Sequence, residues 1–235
     1  DAVPHLIENS GKQWNDQPQS RALTKRITDT IRAYPNRYVV CEATAEPIDY
    51  GNAKLCGGAF AFGYVHHFIK AAEGDAASVK RLAAYYRTES PAMATFLSSH
   101  DRFAGDRLWD QVEGDAAAYK LAAAGYLLQP GTPFIYYGEE VGQGSVVAPG
   151  ISGDMPLRAP MSWTPRNLES GGFTTSATPF RPIAPNAALN NVQSQRADPN
   201  SLLNFYKQMI ALRNTRPSIA RGSFEHSFAD GLVLG

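Results

Sequence analysis

The sequence predicts an α/β fold in which parallel strands alternate with helices. Four short apolar segments are separated by longer segments with helical periodicity, and alternation at this spacing implies parallel strands joined by helical crossovers. Two of these segments also end in an acid: Arg37–Cys41 leads to Glu42, and Met93–Leu97 leads to Asp101. The strands of an α/β barrel place reactive groups at their carboxyl ends in this way. Four βα units make half of an eight-stranded barrel, and a short doubly wound sheet is the alternative.

The first predicted helix runs from Ser20 to about Tyr34. Its apolar residues recur at every fourth position and therefore share one face; they are Leu23, Ile27 and Ile31. Two predicted strands follow, Tyr38–Cys41 and Ala59–Phe62, each with a run of apolar residues.

The alternation continues in the next part of the chain. Asp75 is predicted to cap a helix that places Val79, Leu82, Ala83 and Tyr86 on one face. The strand Met93–Leu97 follows. Asp115 is predicted to open an alanine-rich helix that runs to Gln129, and Pro133–Tyr137 is the next strand.

The last part of the chain changes character twice. The stretch from Gly142 to Arg196 is polar and rich in glycine and proline, which predicts a long loop. Asp198-Pro199 has the cap-plus-proline pattern of a helix start, and the predicted helix ends near Asn214. Residues 217–235 have β-like sequence and are interpreted as the beginning of a β-rich C-terminal domain.

Composition excludes several classes of protein. The 235 residues include 22 basic and 22 acidic side chains, a balance that gives no reason to expect binding to nucleic acid or to an anionic membrane. No apolar run approaches the length of about 18 residues that a membrane helix needs. Cys41 and Cys56 form neither a disulfide framework nor a zinc signature, and Cys41, inside a strand, is expected to be a buried thiol.

Five segments, in order and spacing, resemble motifs of the α-amylase family of glycoside hydrolases. Phe96–Asp101 is similar to the motif of barrel strand seven, usually Phe-x-x-Asn-His-Asp, and Leu128–Gly142 is similar to the strand-eight segment. The other three are Val40–Ala43 for strand five, Arg158–Trp163 for the loop after strand eight, and Leu203–Arg213 for the last barrel helix.

The start of the chain extends this resemblance. Asp1–His5 resembles the second half of the strand-four motif, whose aspartate is the family's nucleophile. The resemblance therefore implies that residues 1–216 are the C-terminal half of a TIM (β/α)8 barrel, from the end of strand four through helix eight. By itself such a half barrel is expected to be poorly stable and inactive.

The resemblance also implies the roles of individual residues. Asp1 is the expected nucleophile, Glu42 the acid/base, and Asp101 the carboxylate that stabilises the positive charge of the transition state. His100, Arg107 and His5 are expected to bind substrate, with Arg107 near the nucleophile. No metal ligand is assigned, because the adjacent His66 and His67 do not face one point, and no cofactor is required for the chemistry. The family resemblance nevertheless allows a structural calcium.

The predicted function is retaining hydrolysis of α-glucosidic bonds in starch, maltodextrin or related α-glucans, through a covalent glycosyl-enzyme. Its partner is an α-glucan substrate, with no nucleic acid and no membrane. A transglycosylase or isomerase of the same family, such as a trehalose-forming enzyme, is the alternative, and a non-catalytic barrel relative is a third. The compartment stays open, with a secreted or periplasmic location slightly favoured over the cytoplasm.

Overall fold

The computed structural model describes residues 2–88, 93–165 and 169–235. Its helices are α1 (Pro18–Arg32), α2 (Pro47–Gly51), α3 (Val65–Ala72), α4 (Ala76–Thr88), α5 (Leu108–Gln111), α6 (Ala116–Leu127), α7 (Val192–Arg196), α8 (Leu202–Thr215) and α9 (Pro217–Arg221). Its strands are β1 (Ala59–Phe60), β2 (Met93–Thr95), β3 (Thr132–Pro133), β4 (Ala229–Asp230) and β5 (Val233–Leu234). Short 3-10 helices lie between several of these elements.

The central sheet is parallel, and its strand order follows the chain. β1 pairs with β2 and β2 pairs with β3, while an isolated parallel bridge from Cys41 to Ala59 adds the preceding segment beside β1. A doubly wound sheet reverses its strand order at a switch point, whereas neighbouring barrel strands follow one another in sequence. The α/β prediction is confirmed, and the sequential order is that of part of a barrel wall.

Helices cover the outer face of this wall and complete one apolar core. α3 packs against α4 and α6, and α6 packs against α8. The core side chains from these helices are largely aromatic and aliphatic, and they include Phe68, Ile69, Leu82, Tyr86, Tyr119, Tyr126, Leu127 and Tyr206. The buried face predicted for the helix after Asp75 is confirmed, since Val79, Leu82, Ala83 and Tyr86 are all buried.

Two predicted helix starts are confirmed by their caps, and a third is wrong. The Asp115 carboxylate accepts from the amides of Ala117 and Ala118 at 2.8 and 3.2 Å. The Asp75 carboxylate likewise caps α4. Asp198-Pro199 does not begin α8: Ser201 is the cap, because its hydroxyl accepts from the amide of Asn204 at 3.2 Å.

The buried face of α1 differs from the predicted one. Ser20, Thr24 and Thr28 are buried, whereas Ile27 of the predicted apolar face is 45% exposed. Small hydroxyl residues let the preceding loop approach closely, and the Ser20 hydroxyl accepts from the Ile7 amide at 3.0 Å. The predicted strand Tyr38–Cys41 is similarly reduced to the single bridge at Cys41.

The expected buried thiol at Cys41 is wrong, because Cys41 and Cys56 form a disulfide. Cys56 lies three residues before β1, the strand that pairs with the Cys41 segment. The return of the chain along the neighbouring strand brings the two Cα atoms to 6.0 Å, within the range that a disulfide spans. The link closes the segment that contains Glu42.

The C-terminal residues contain less β-structure than predicted. Residues 217–221 form α9, and residues 222–228 of this β-like segment contain no strand. β4 and β5 pair as an antiparallel hairpin that packs against α4, where the Ser227 hydroxyl donates to the Ala83 carbonyl at 2.6 Å. The division at residue 216 and the β-rich domain stay predictions. Among the described helices, none combines the length and apolar character needed to cross a bilayer.

Candidate active site

A pocket of about 220 Å³ opens at the carboxyl ends of the parallel strands. Its floor is aromatic, and the ring of Phe60 meets those of Phe96 and Phe134 edge-on at centroid distances of 5.5 and 4.9 Å. Its polar side chains include Glu42, Ser98, Ser99 and His100. The pocket therefore combines an apolar floor with a small number of groups that can donate or accept protons, as small-molecule sites do.

Glu42 reaches this pocket because it follows the bridge that joins Cys41 to the sheet. Its carbonyl accepts from the Val3 amide at 2.8 Å, so the N-terminal segment lies directly beside it. His5 belongs to the same corner, since its Nε2 lies 3.3 Å from the Thr44 hydroxyl, two residues beyond Glu42. The structure thus brings Glu42, His5 and His100 to one end of the sheet.

Asp101 follows His100 in the segment after β2, and its carboxylate is held by an arginine. Arg158 Nη2 donates to Asp101 Oδ1 at 2.7 Å, and Arg158 Nε donates to the His100 carbonyl at 2.9 Å. His100 Nε2 lies 3.3 Å from the same carboxylate oxygen. The Asp101 side chain is 22% exposed, so it keeps access to a ligand while Arg158 fixes its orientation.

Arg107 differs from the predicted substrate contact. Its side chain is 1% exposed; Nε and Nη2 donate to the Leu157 carbonyl at 3.0 and 2.6 Å, and Nη1 donates to the Tyr137 carbonyl at 2.7 Å. The guanidinium also lies over the rings of Tyr136 and Tyr137. The structure uses this arginine to join the loop before Arg158 to the segment after β3, because its bidentate donors match main-chain carbonyls.

Arg158 is a site residue that the sequence does not predict. In the sequence it is only the first residue of a loop motif, and its distance along the chain from Asp101 gives no sign of their contact. The available signal was a cation in a polar loop that follows the last strand, where barrel loops converge on the mouth.

Glu139 is a buried carboxyl that supports the floor of the site. Oε1 accepts from the hydroxyls of Tyr126 and Tyr206 at 2.7 and 2.9 Å, and Oε2 accepts from Ser98, a pocket residue, at 3.0 Å. Burial raises the pKa of Glu139 to about 7, although the three hydroxyl donors act in the opposite direction. Its hydrogen bonds therefore give Glu139 a structural role.

The structure does not test the predictions for the nucleophile and for a bound metal. Asp1, the predicted nucleophile, lies outside the described residues. Within residues 2–88, 93–165 and 169–235, no group of three or more histidine, cysteine or acidic side chains is arranged to hold a metal ion. The catalytic roles of Asp1, Glu42 and Asp101 stay predictions.

The comparisons with known proteins agree on one family. The profile of the alpha-amylase catalytic domain matches residues 1–222. The trehalose synthase/amylase TreS of Mycobacterium tuberculosis is 28% identical over 272 aligned positions, covering 96% of this chain and 44% of that protein. The alpha-amylase SusG of Bacteroides thetaiotaomicron is 36% identical over 154 positions, covering 65% of this chain and 20% of that protein. The chain thus spans less than half the length of these curated relatives.

Solved structures show the same fold. The trehalulose synthase MutB superposes with a TM-score of 0.74 at 18% identity, over 96% of this chain and 51% of that one. The trehalose-6-phosphate hydrolase of Bacillus licheniformis gives a TM-score of 0.71 at 21% identity, over 93% of this chain and 49% of that one.

Proposed function

Because the chain belongs to the alpha-amylase family, we propose that it provides catalytic groups for retaining hydrolysis of α-glucosidic bonds in starch, maltodextrin or related α-glucans. The observation that carries this proposal is the position of Glu42 and His100 on one pocket, with Asp101 next to His100. These residues come from separate strand ends, which is how a barrel assembles an active site.

The proposed reaction has two steps. In the first, a carboxylate oxygen of Asp1 attacks the anomeric carbon while the Glu42 carboxylic acid gives its proton to the departing glycosidic oxygen. The bond to the leaving sugar breaks and a glycosyl ester forms. In the second, Glu42 takes a proton from water, which attacks the same carbon and releases Asp1. Carboxyls about 5–5.5 Å apart permit this double displacement, and it retains the configuration.

Asp101 and His100 act on the sugar that reacts. The ring gains positive charge in the oxocarbenium-like transition state, so a fixed carboxylate at Asp101 stabilises it more than the ground state. Arg158 supports this by holding Asp101 Oδ1 at 2.7 Å. The phenylalanine floor offers the sugar an apolar surface.

The test uses the gene product that contains this chain, with maltoheptaose as substrate. Proton NMR at early times is expected to show the α-anomer of the new reducing end. Glu42→Gln is expected to lower turnover by about a thousandfold, within the range that general acid–base catalysis supplies, while the exposed Glu8→Gln variant keeps it. An initial β-anomer would refute the retaining mechanism, and full activity of Glu42→Gln would refute the acid/base assignment.

A second candidate is intramolecular transfer of glucose to give a rearranged disaccharide. It is supported by the similarity to trehalose synthase/amylase TreS over 96% of this chain. Both reactions share the glycosyl-enzyme, and the acceptor decides between them: water gives hydrolysis, and a retained glucose gives an isomer. Incubation with maltose separates them, because glucose alone supports hydrolysis, whereas trehalose or another non-maltose disaccharide supports transfer.

A further inference from the structure

Trp14 presents a large aromatic surface to solvent. Its side chain is 49% exposed. One face of the indole stacks on the His5 ring, with centroids 5.0 Å apart and planes inclined by only 7°. An exposed indole that is supported on one side by a parallel ring offers a flat apolar surface that needs little further ordering.

The loop that carries Trp14 is fastened at Asp16, two residues later. The Asp16 amide donates to the Pro4 carbonyl at 2.8 Å. Its carboxylate accepts from Arg21 Nε and Nη2 at 2.8 and 2.7 Å and from the Tyr50 hydroxyl at 3.1 Å. The hydrogen bonds from Arg21 lower the pKa of Asp16, so the carboxylate stays ionised and the anchor is kept across the neutral range. These hydrogen bonds fix the position of the loop that carries Trp14.

The stacked pair borders the segment of the proposed acid/base. His5 Nε2 lies 3.3 Å from the Thr44 hydroxyl, and the Glu42 carbonyl accepts from the Val3 amide at 2.8 Å. The exposed amide of Asn9, which donates to the half-buried amide of Gln17 at 2.9 Å, lies on the same loop. An aromatic face with amide groups nearby suits a pyranose ring, whose C–H face is apolar and whose edge carries hydroxyls.

We propose that Trp14, supported by His5, is a stacking platform for a glucose ring on the leaving-group side of the scissile bond. This assignment rests on the proposed function, because it is Glu42 that protonates the leaving oxygen and the platform adjoins the Glu42 segment. Trp14 would then bind the sugar that departs in hydrolysis or that accepts the glucosyl group in transfer. It would contribute nothing to a substrate whose leaving group has no ring.

The test compares two substrates in Trp14→Ala. Maltotriose places glucose on the leaving-group side, whereas α-glucosyl fluoride releases only fluoride. We expect kcat/KM for maltotriose to fall by about tenfold, equivalent to about 1.4 kcal/mol, and kcat/KM for α-glucosyl fluoride to change by less than about twofold. Trp14→Phe is expected to recover much of the loss. Unchanged turnover of the fluoride also reports that the variant is folded.

The matched control is Tyr34→Ala. Tyr34 is 63% exposed and follows the C-terminal end of α1, which is the end of a βα unit remote from the strand tips. It should leave both substrates unaffected. Equal losses on both substrates in Trp14→Ala, or no loss on either, would overturn the platform.

Failure of the proposed function is distinguishable from failure of the platform. If the unaltered protein turns over neither substrate, the proposed function is wrong, and the platform is judged by calorimetric binding of maltotriose. Binding that weakens in Trp14→Ala but not in Tyr34→Ala would support the platform. Binding that is equal in the two variants, or absent from the unaltered protein, would overturn it.

Discussion

The buried carboxyl of Glu139 makes the stability of this protein depend on pH. The side chain is fully enclosed, at 2% exposure, and the hydroxyls of Tyr126, Tyr206 and Ser98 donate to it. Burial penalises the ionised form more than the three donors favour it, so the pKa rises from an ordinary 4.5 to about 7. The folded protein therefore binds a proton here in a pH range in which the unfolded chain has released it.

The sign and size of the effect follow from linkage. Between the unfolded pKa of 4.5 and the folded pKa of about 7, the native state holds more protons, so stability decreases as pH rises. The contribution is fully present below the unfolded value and is lost as pH passes the folded value. A shift of this size corresponds to about 3 kcal/mol of unfolding free energy.

Urea unfolding of the gene product and of Glu139→Gln measures this contribution. Glutamine has the same shape and cannot ionise. Between about pH 4.5 and about pH 8, the unaltered protein is expected to lose about 3 kcal/mol relative to Glu139→Gln, whatever the offset between them at low pH. Glu8→Gln, at an exposed position, should follow the unaltered protein. Parallel stability curves for the unaltered protein and Glu139→Gln would refute the reasoning.

Three further substitutions test other contacts. Replacing both Cys41 and Cys56 by serine is expected to lower the free energy of unfolding, measured with urea, by about 3 kcal/mol for a loop of this length. Reductant should lower the free energy of unfolding of the unaltered protein by the same amount. No loss of stability would contradict a stabilising role for the disulfide. Arg107→Met should cost about 3 kcal/mol, because the Tyr137 carbonyl loses the donor Arg107 and the Leu157 carbonyl keeps only the Tyr136 hydroxyl. A thermal melt like that of the unaltered protein would contradict this. Arg158→Ala should change the free energy of unfolding by less than about 1 kcal/mol but lower kcat about tenfold, because Asp101 loses the contact that fixes its orientation. An unchanged kcat would contradict this role of Arg158.

The sequence predicted the parts of the fold that depend on local signals. Aspartates before alanine-rich or amphipathic segments cap α4 and α6 because their carboxylates accept from amides two and three residues ahead. Apolar runs that end in Glu42 and His100 reach one pocket, because parallel strands present the same ends together. Periodicity and turn chemistry are sufficient for such features.

The features that were missed depend on distant contacts. The Cys41–Cys56 disulfide forms because a strand returns beside its neighbour, which spacing alone does not disclose. Arg107 is predicted to bind substrate, yet the carbonyl of Leu157, fifty residues later, accepts from two of its donors. Arg158 reaches Asp101 across a similar interval. Loops of this length have no periodic pattern, so their partners are determined by packing and not by local sequence.

The most direct test of the central claim is the dependence of Glu42→Gln on the leaving group. An acid catalyst is needed for a sugar alkoxide to depart but not for fluoride, which leaves without protonation. We therefore expect Glu42→Gln to lose about a thousandfold in the release of glucose from maltotriose, while the first turnover of α-glucosyl fluoride, followed by fluoride release, stays within about tenfold of the unaltered protein. Equal losses on the two substrates would contradict the assignment of Glu42 as the acid that protonates the leaving sugar.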